Sequence, residues 1–334
     1  MIEAHTLKQI STLYREIRRF FDQQDFIEVH TPIMTPIPGM EPHLTPFETT
    51  LTTPLDNKQY PVYLNTSPEL QMKRLLGAGL EKIYNITKVF RDYELGGGRH
   101  NPEFTMLEWY RQKADYFDLM TDCENLITTL LPHSNPNPKI DFTTPWDRAT
   151  TQELFHQYCD IDLNQNQTFE KISQTAIFKN LDIAGCQDWD DIFFKIFLNH
   201  IEPHLGINKP IFIYEYPATQ AALSKKSTKN TFFAERFELY IDRQEIANAF
   251  SELIDPDEQT QRLKEEQELR KSLNKRVFPI DEQFIASLKS IKHPSAGIAL
   301  GIDRLFMVLL NKLKIEEVIL FPMDQLLKEN FNNQ

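Results

Sequence analysis

The chain has 334 residues, enough for one large domain or two small ones, and either would bury a substantial core. Its 48 acidic residues outnumber 36 basic ones, a formal charge of −12, which excludes a general attraction to polyanions; a nucleic-acid partner would need a local basic patch. Cys123, Cys159 and Cys186 show no CxxC spacing, which argues against a disulfide scaffold or structural zinc and for a reducing cytoplasm. The polar N-terminus and the lack of a long apolar run give no signal peptide or membrane span.

In chain order, Ile10, Leu13, Ile17 and Phe20 recur at helical spacing and predict a helix over 7–21. Phe26 to Val29 reads as a short strand ended by Thr31-Pro32. Prolines 32, 36, 38, 42, 46 and 54 then predict irregular or edge structure. A strand over Tyr60 to Asn65 precedes a helix with Ser67 as N-cap and Pro68 in its first turn. Runs 82–91 and 103–111 predict a long antiparallel hairpin around Gly96-Gly97-Gly98, followed by a helix over 115–131. Residues from about 132 to 210 read as a helical insertion. Strands are expected at 210–216, 234–242, 244–253 and 296–301, and helices at 255–274 and 303–313. This mixture predicts an α+β fold, an antiparallel sheet flanked by helices in one domain spanning 1–334.

Glycine is scarce, yet Gly96, Gly97, Gly98, Gly297 and Gly301 fall in two short segments. They mark either ordinary hairpin turns or places where backbone approaches a ligand closely. In the first segment Arg91 and Arg99 bracket the hairpin loop. Their guanidinium forks either converge on an anion such as a triphosphate or lie solvated. On the returning strand Phe104, Met106, Glu108 and Tyr110 share a face by the two-residue period, a surface suited to a cationic amino acid. In the second segment Arg304 falls in the first turn of a helix, where it opposes the helix dipole. A bound phosphate or nucleotide explains that placement; a surface ion pair is the alternative. Between the segments, Glu245 and Glu252 suit Mg²⁺ beside a triphosphate. Their separation of seven puts them on opposite faces of a regular strand, so joint action requires a bulge or a strand that ends before Glu252.

At these segments the chain resembles the class II aminoacyl-tRNA synthetases, and among them the lysyl-tRNA synthetase catalytic domain. Arg18 to Pro32 resembles the first family motif, which builds a dimer interface. Phe90-Arg91 through Arg99-His100-Asn101-Pro102-Glu103-Phe104 resembles the second, and Gly297 to Arg304 the third. The first motif begins almost at residue 1, which leaves no place for the N-terminal OB-fold that reads the anticodon. The chain is therefore similar to stand-alone paralogues that modify translation elongation factor P with (R)-β-lysine. Ser67 and Ala299, where the tRNA enzymes tend to have alanine and glycine, support that likeness.

The resemblance implies an ATP-dependent, AMP-forming ligase, homodimeric and cytoplasmic. It would activate (R)-β-lysine or lysine and use elongation factor P, not tRNA, as acceptor. It further implies catalytic roles for Arg91 and Arg304, with Arg91 on the ATP α-phosphate and Arg99 on the outer phosphates. His100 and Asn101 would meet the adenine edge, with Phe104 under its ring and Arg304 over it; Gly301 would leave room, and Ile246 would offer backbone. Glu245 and Glu252 would hold Mg²⁺. Ser67, Pro68, Glu69, Glu108, Tyr110, Glu252 and Ala299 would form the amino-acid pocket. One departure stands out. The family reads Phe-Arg-x-Glu where this chain has Phe90-Arg91-Asp92-Tyr93-Glu94, so the shares of Asp92, Tyr93 and Glu94 in ATP binding stay open.

Overall fold

A computed structural model describes residues 2–331. Helix α1 (Ala4–Asp22) turns Leu13, Ile17 and Phe21 to the interior. It is followed by the short strands β1 (Ile27–Glu28) and β2 (Met34–Thr35), then by β3 (Glu48–Thr52) and β4 (Gln59–Leu64). Helix α2 (Glu69–Gly77) leads into the hairpin of β5 (Lys82–Phe90) and β6 (Glu103–Gln112). Helix α3 (Tyr116–Leu130) starts at a capping box between Asp115 and Asp118. After it come β7 (Asp147–Thr150), α4 (Thr151–Cys159), α5 (Phe169–Phe178), α6 (Trp189–Ile196), β8 (Ile211–Pro217), β9 (Phe233–Ile241) and β10 (Gln244–Ser251). Helices α7 (Pro256–Ser272) and α8 (Glu282–Leu288) precede β11 (Ser295–Gly301), α9 (Ile302–Leu309) and α10 (Met323–Phe331).

Eight strands form one sheet in the order β1-β5-β6-β11-β10-β9-β8-β7. Its inner pairings are antiparallel, and the edge strands β1 and β7 pair in parallel. The α+β prediction matches this sheet. Two segments differ from their sequence reading. The proline-rich stretch builds a separate three-stranded sheet, β2-β4-β3. The presumed helical insertion carries α4 to α6 but also β7, which hydrogen-bonds to β8 as an edge of the main sheet. Asp-Arg-Ala-Thr has no apolar alternation, because an edge strand need not bury a face.

Alternation along three neighbouring strands sets the layout. On β6, Leu107 and Trp109 face the main core, as do Ala296, Ile298 and Leu300 on β11 and Ala247 and Ala249 on β10. There they meet α1, α3 and α9. The intervening residues face the other way and line a cavity: Phe104, Met106 and Tyr110, then Gly297, Ala299 and Gly301, then Asn248 and Phe250. Pairing places Gly297 between Tyr110 and Phe250, and Ala299 between Glu108 and Asn248. A second apolar cluster seats α4, α5 and α6 on β8 and β9, and a third joins α2 and α8 to β4.

Phe21 is fully buried, stacked on Tyr84 at 4.5 Å and close to Phe26 and Trp109. Phe21→Ala should therefore lower stability by roughly 3–5 kcal/mol, read as a reduced denaturant midpoint at unchanged slope.

Candidate active site

The cavity is about 1110 Å³ and gathers residues from both glycine-containing segments and from the Glu245 stretch. Arg91, Glu94, Arg99, His100, Asn101, Phe104, Glu245, Ile246, Gly301 and Arg304 line it, as do Ser67, Glu69, Tyr110 and Ala299. The Arg91 guanidinium sits 5.2 Å over the Phe104 ring, and its Nε is buried without a partner. A guanidinium so held has hydrogen-bonding capacity left for an anion. Arg304 donates to the Glu245 carbonyl at 3.1 Å and lies 3.7 Å from that residue's carboxylate. A Cβ on Gly301 would meet no protein atom nearer than 3.9 Å, so the space it leaves belongs to the cavity and not to internal packing. Arg99 instead donates to the Arg243 carbonyl at 3.2 Å.

The open question at Asp92-Tyr93-Glu94 has a geometric answer. Tyr93 takes φ 65° and its side chain projects into solvent, 87% exposed, so it carries the extra residue outward. Glu94 then returns to the cavity, 3.6 Å from Arg91 and 3.3 Å from His100. Burial raises the Glu94 carboxyl, but His100, Arg91 and Arg304 outweigh it and hold the group below the ordinary carboxylate range. Asp92 and Tyr93 do not line the cavity. Asn101 lines it, but its amide is committed to protein: Nδ2 donates to the Glu103 carbonyl at 2.6 Å and Oδ1 accepts from the Met323 N–H at 2.9 Å.

The parity problem between Glu245 and Glu252 is also resolved. The ladder slips between Glu245 and Ala247, so Ile246 is a bulge, and β10 ends at Ser251, before Glu252. The two carboxylates nevertheless have separate surroundings. Glu245 lines the cavity beside Arg304, whereas Glu252 lies behind it, 2.5 Å from the buried Lys73 ammonium. Sharing one Mg²⁺ is therefore not what this geometry offers. Among the described residues no group of three or more His, Cys, Asp or Glu forms a metal cluster. Of the two carboxylates, Glu245 is the one that lines the cavity, and Glu94 lines it as well; an oxygen-seeking ion there would take its remaining oxygens from phosphates and water.

Around Ser67 and Glu69, Pro68, not Ser67, is the N-cap of α2. The Ser67 oxygen still accepts the Glu69 N–H at 3.1 Å, but its hydroxyl donates to Glu108 at 2.6 Å. Tyr110 donates to the other Glu108 oxygen at 2.9 Å. Glu108 is thus fully buried behind Ser67 and Tyr110; it and Pro68 do not line the cavity. Gly297 is required here, because a Cβ would lie 2.2 Å from the Tyr110 ring and 2.3 Å from Glu252 Oε1. Burial, reinforced by Glu69, pushes Glu108 up to about 8 against the pull of Ser67, Tyr110 and Lys73.

Two cations escaped the sequence reading. Lys73 stands four residues after Glu69 on α2, a spacing that puts both on one helix face and was legible. Arg236 on β9 lines the cavity, stacked 4.5 Å from the Tyr216 ring and bonded to Asn248 and Glu238. Its alternation with Glu238 was visible, but not that this face turns toward the cavity.

The sequence profile of the tRNA synthetases class II (D, K and N) matches residues 3–325. The chain is 39% identical over 312 residues to an elongation factor P–(R)-β-lysine ligase of Histophilus somni, covering 92% of each chain. It is 39% identical to a ligase of that name from Hamiltonella defensa over 94% of this chain and 93% of that one. For the Proteus mirabilis ligase the identity is 38%, over 96% and 95%.

The raised Glu108 value fixes a pH dependence. The folded chain holds a proton there that the unfolded chain releases, so this contribution to stability is full below the ordinary carboxylate range and is lost as pH rises through about 8. Glu108→Gln should remove that part of the decline. Its stability relative to the parent should improve as pH is raised from 5 to about 9 in denaturant titrations; a constant difference would show that Glu108 does not titrate there.

Proposed function

The chain belongs to the class II tRNA synthetases (D, K and N), and we propose that within this family it is an ATP-dependent ligase for a lysine-like amino acid. It activates (R)-β-lysine or lysine as the adenylate and passes it to a lysine side chain of translation elongation factor P. The observation that supports this reading is a single cavity lined by Arg91, Glu245 and Arg304 and also by Glu69, Ser67 and Tyr110. The relatives' names supply the amino acid and the acceptor. The whole chain is read as one catalytic domain. A homodimer through α1 and β1, where Ile27 is 51% exposed, belongs to the same proposal. Among the described residues no helix is long and apolar enough to cross a membrane; a cytoplasmic location completes the proposal.

In the first step a carboxylate oxygen of the amino acid bonds to the α-phosphorus of ATP. The bond from that phosphorus to the bridging oxygen breaks, and pyrophosphate leaves. Arg91 offsets the charge that develops on the α-phosphate, and the Phe104 ring and Arg304 hold the base from two sides. Glu245 is the residue that would hold a divalent cation, whose chemistry is to neutralise the phosphates. Glu69 takes the substrate ammonium, which orients the carboxylate toward Arg91. In the second step the acceptor amine bonds to the carbonyl carbon, loses a proton and expels AMP, forming an amide. Positioning and cationic stabilisation carry the first step without a protein base.

Arg91→Ala should reduce amino-acid-dependent ATP–pyrophosphate exchange by about 100-fold or more while leaving the melting temperature close to the parent's. Exchange at parental rates in the folded variant defeats the assignment. Mass spectrometry after incubation with ATP and each amino acid should find the added mass on elongation factor P; preferential charging of tRNA in the same assay would reverse the choice of acceptor.

A further inference from the structure

Beneath the amino-acid pocket lies a lysine for which the proposed reaction has no use. Lys73 is only 1% exposed, yet its Nζ is 2.6 Å from Glu69 Oε1 and 2.5 Å from Glu252 Oε2, and 5.0 Å from the Phe250 ring centre. Glu69 and Phe250 line the cavity, while Lys73 and Glu252 do not. The ammonium therefore reaches Glu69 from the protein side. Glu69 Oε1 is the buried oxygen, which leaves Oε2 for the cavity. A same-face pair on one helix accounts for Lys73 with Glu69. It does not account for Glu252, which comes from the end of β10, nor for desolvating the cation there. Glu108 and Tyr110 from β6, Glu41 from the loop after β2, and Glu266 from α7 act on the same carboxylates. Lys73 is the cation bound directly to them.

We infer that Lys73 is a positioning residue for amino-acid recognition: its ammonium locks Glu69 against Glu252, so that Glu69 turns its remaining oxygen into the cavity to receive the ammonium group of the substrate. The inference rests on the function proposed above, because it takes the ligand to be a lysine-like amino acid. Without Lys73, burial drives Glu252 to protonate and Glu69 loses the partner that fixes its orientation, so Glu69 can turn from the cavity and the substrate ammonium loses its fixed acceptor. Lys73 touches no reacting atom, so its loss falls on amino-acid binding and not on ATP.

The test is ATP–pyrophosphate exchange with lysine and (R)-β-lysine on the full chain, comparing the parent with Lys73→Met, Glu252→Gln and the double variant. Lys73→Met should raise the amino-acid KM about 10-fold or more while the KM for ATP stays within about twofold. In the double variant the Glu252 charge is removed together with the ammonium that faces it, leaving only Glu69 without its partner, so the loss should be smaller than the product of the single losses. A folded Lys73→Met variant with parental amino-acid KM, equal rises in both KM values, or single effects that multiply in the double variant would each overturn the role. Should Lys73→Met fail to fold, the double variant decides. An amino-acid KM about threefold or more above that of Glu252→Gln, with the ATP KM unchanged, supports the role, because Glu69 has then lost its partner; a KM equal to that of Glu252→Gln refutes it. If the parent itself shows no exchange with either amino acid, the proposed function falls, a result separate from any pattern among the variants.

Discussion

The constraint on which the site depends is the two-residue alternation of β6, β11 and β10, held in register side by side. Each strand must give one face to α1, α3 and α9, because that face supplies Leu107, Trp109, Ile298 and Leu300 to the main core. A slip of one residue would send those side chains into the cavity and bring Tyr110 and Phe250 into the core. The hydrophobic driving force that seats the helices therefore also positions the side chains across the sheet. Gly297 shows how little slack remains, since even a methyl group there would collide with Tyr110 and Glu252.

Two groups of side chains around the cavity treat charge differently. Arg91, Glu94, His100, Glu245 and Arg304 remain partly exposed, so their mutual attraction is modest and can give way to a ligand. Glu108 and Glu252 are withdrawn from water and face hydroxyl donors or Lys73. Desolvation there makes each unmatched charge costly.

Much of this arrangement was legible in the residues. The face shared by Phe104, Met106, Glu108 and Tyr110 follows from strand periodicity, and the folded strand has it. Arg304 in the first turn of its helix followed from the glycine that ends β11 and the Asp-Arg that opens α9. Other features depend on partners distant along the chain. Whether Glu245 and Glu252 share a face depends on the bulge at Ile246, which arises in the pairing of β10 with β9. The Asn101 Oδ1 accepts from the Met323 N–H, a contact between residues far apart in the chain. The edge strand β7 has no periodic signal, because it is defined by hydrogen bonds to β8.

By itself the sequence determined the types of groups available, their order, and the strand faces on which most of them lie, because periodicity and turn chemistry are local properties of the backbone. Only the tertiary structure decided which groups reach the cavity and which are spent behind it. Glu108, Glu252 and Lys73 form a buried set there, Tyr93 loops outward and Glu94 turns in. The reason is that burial and charge pairing are properties of the assembled sheet: an ion pair such as Lys73 with Glu252 exists only once α2 and the end of β10 have been brought together.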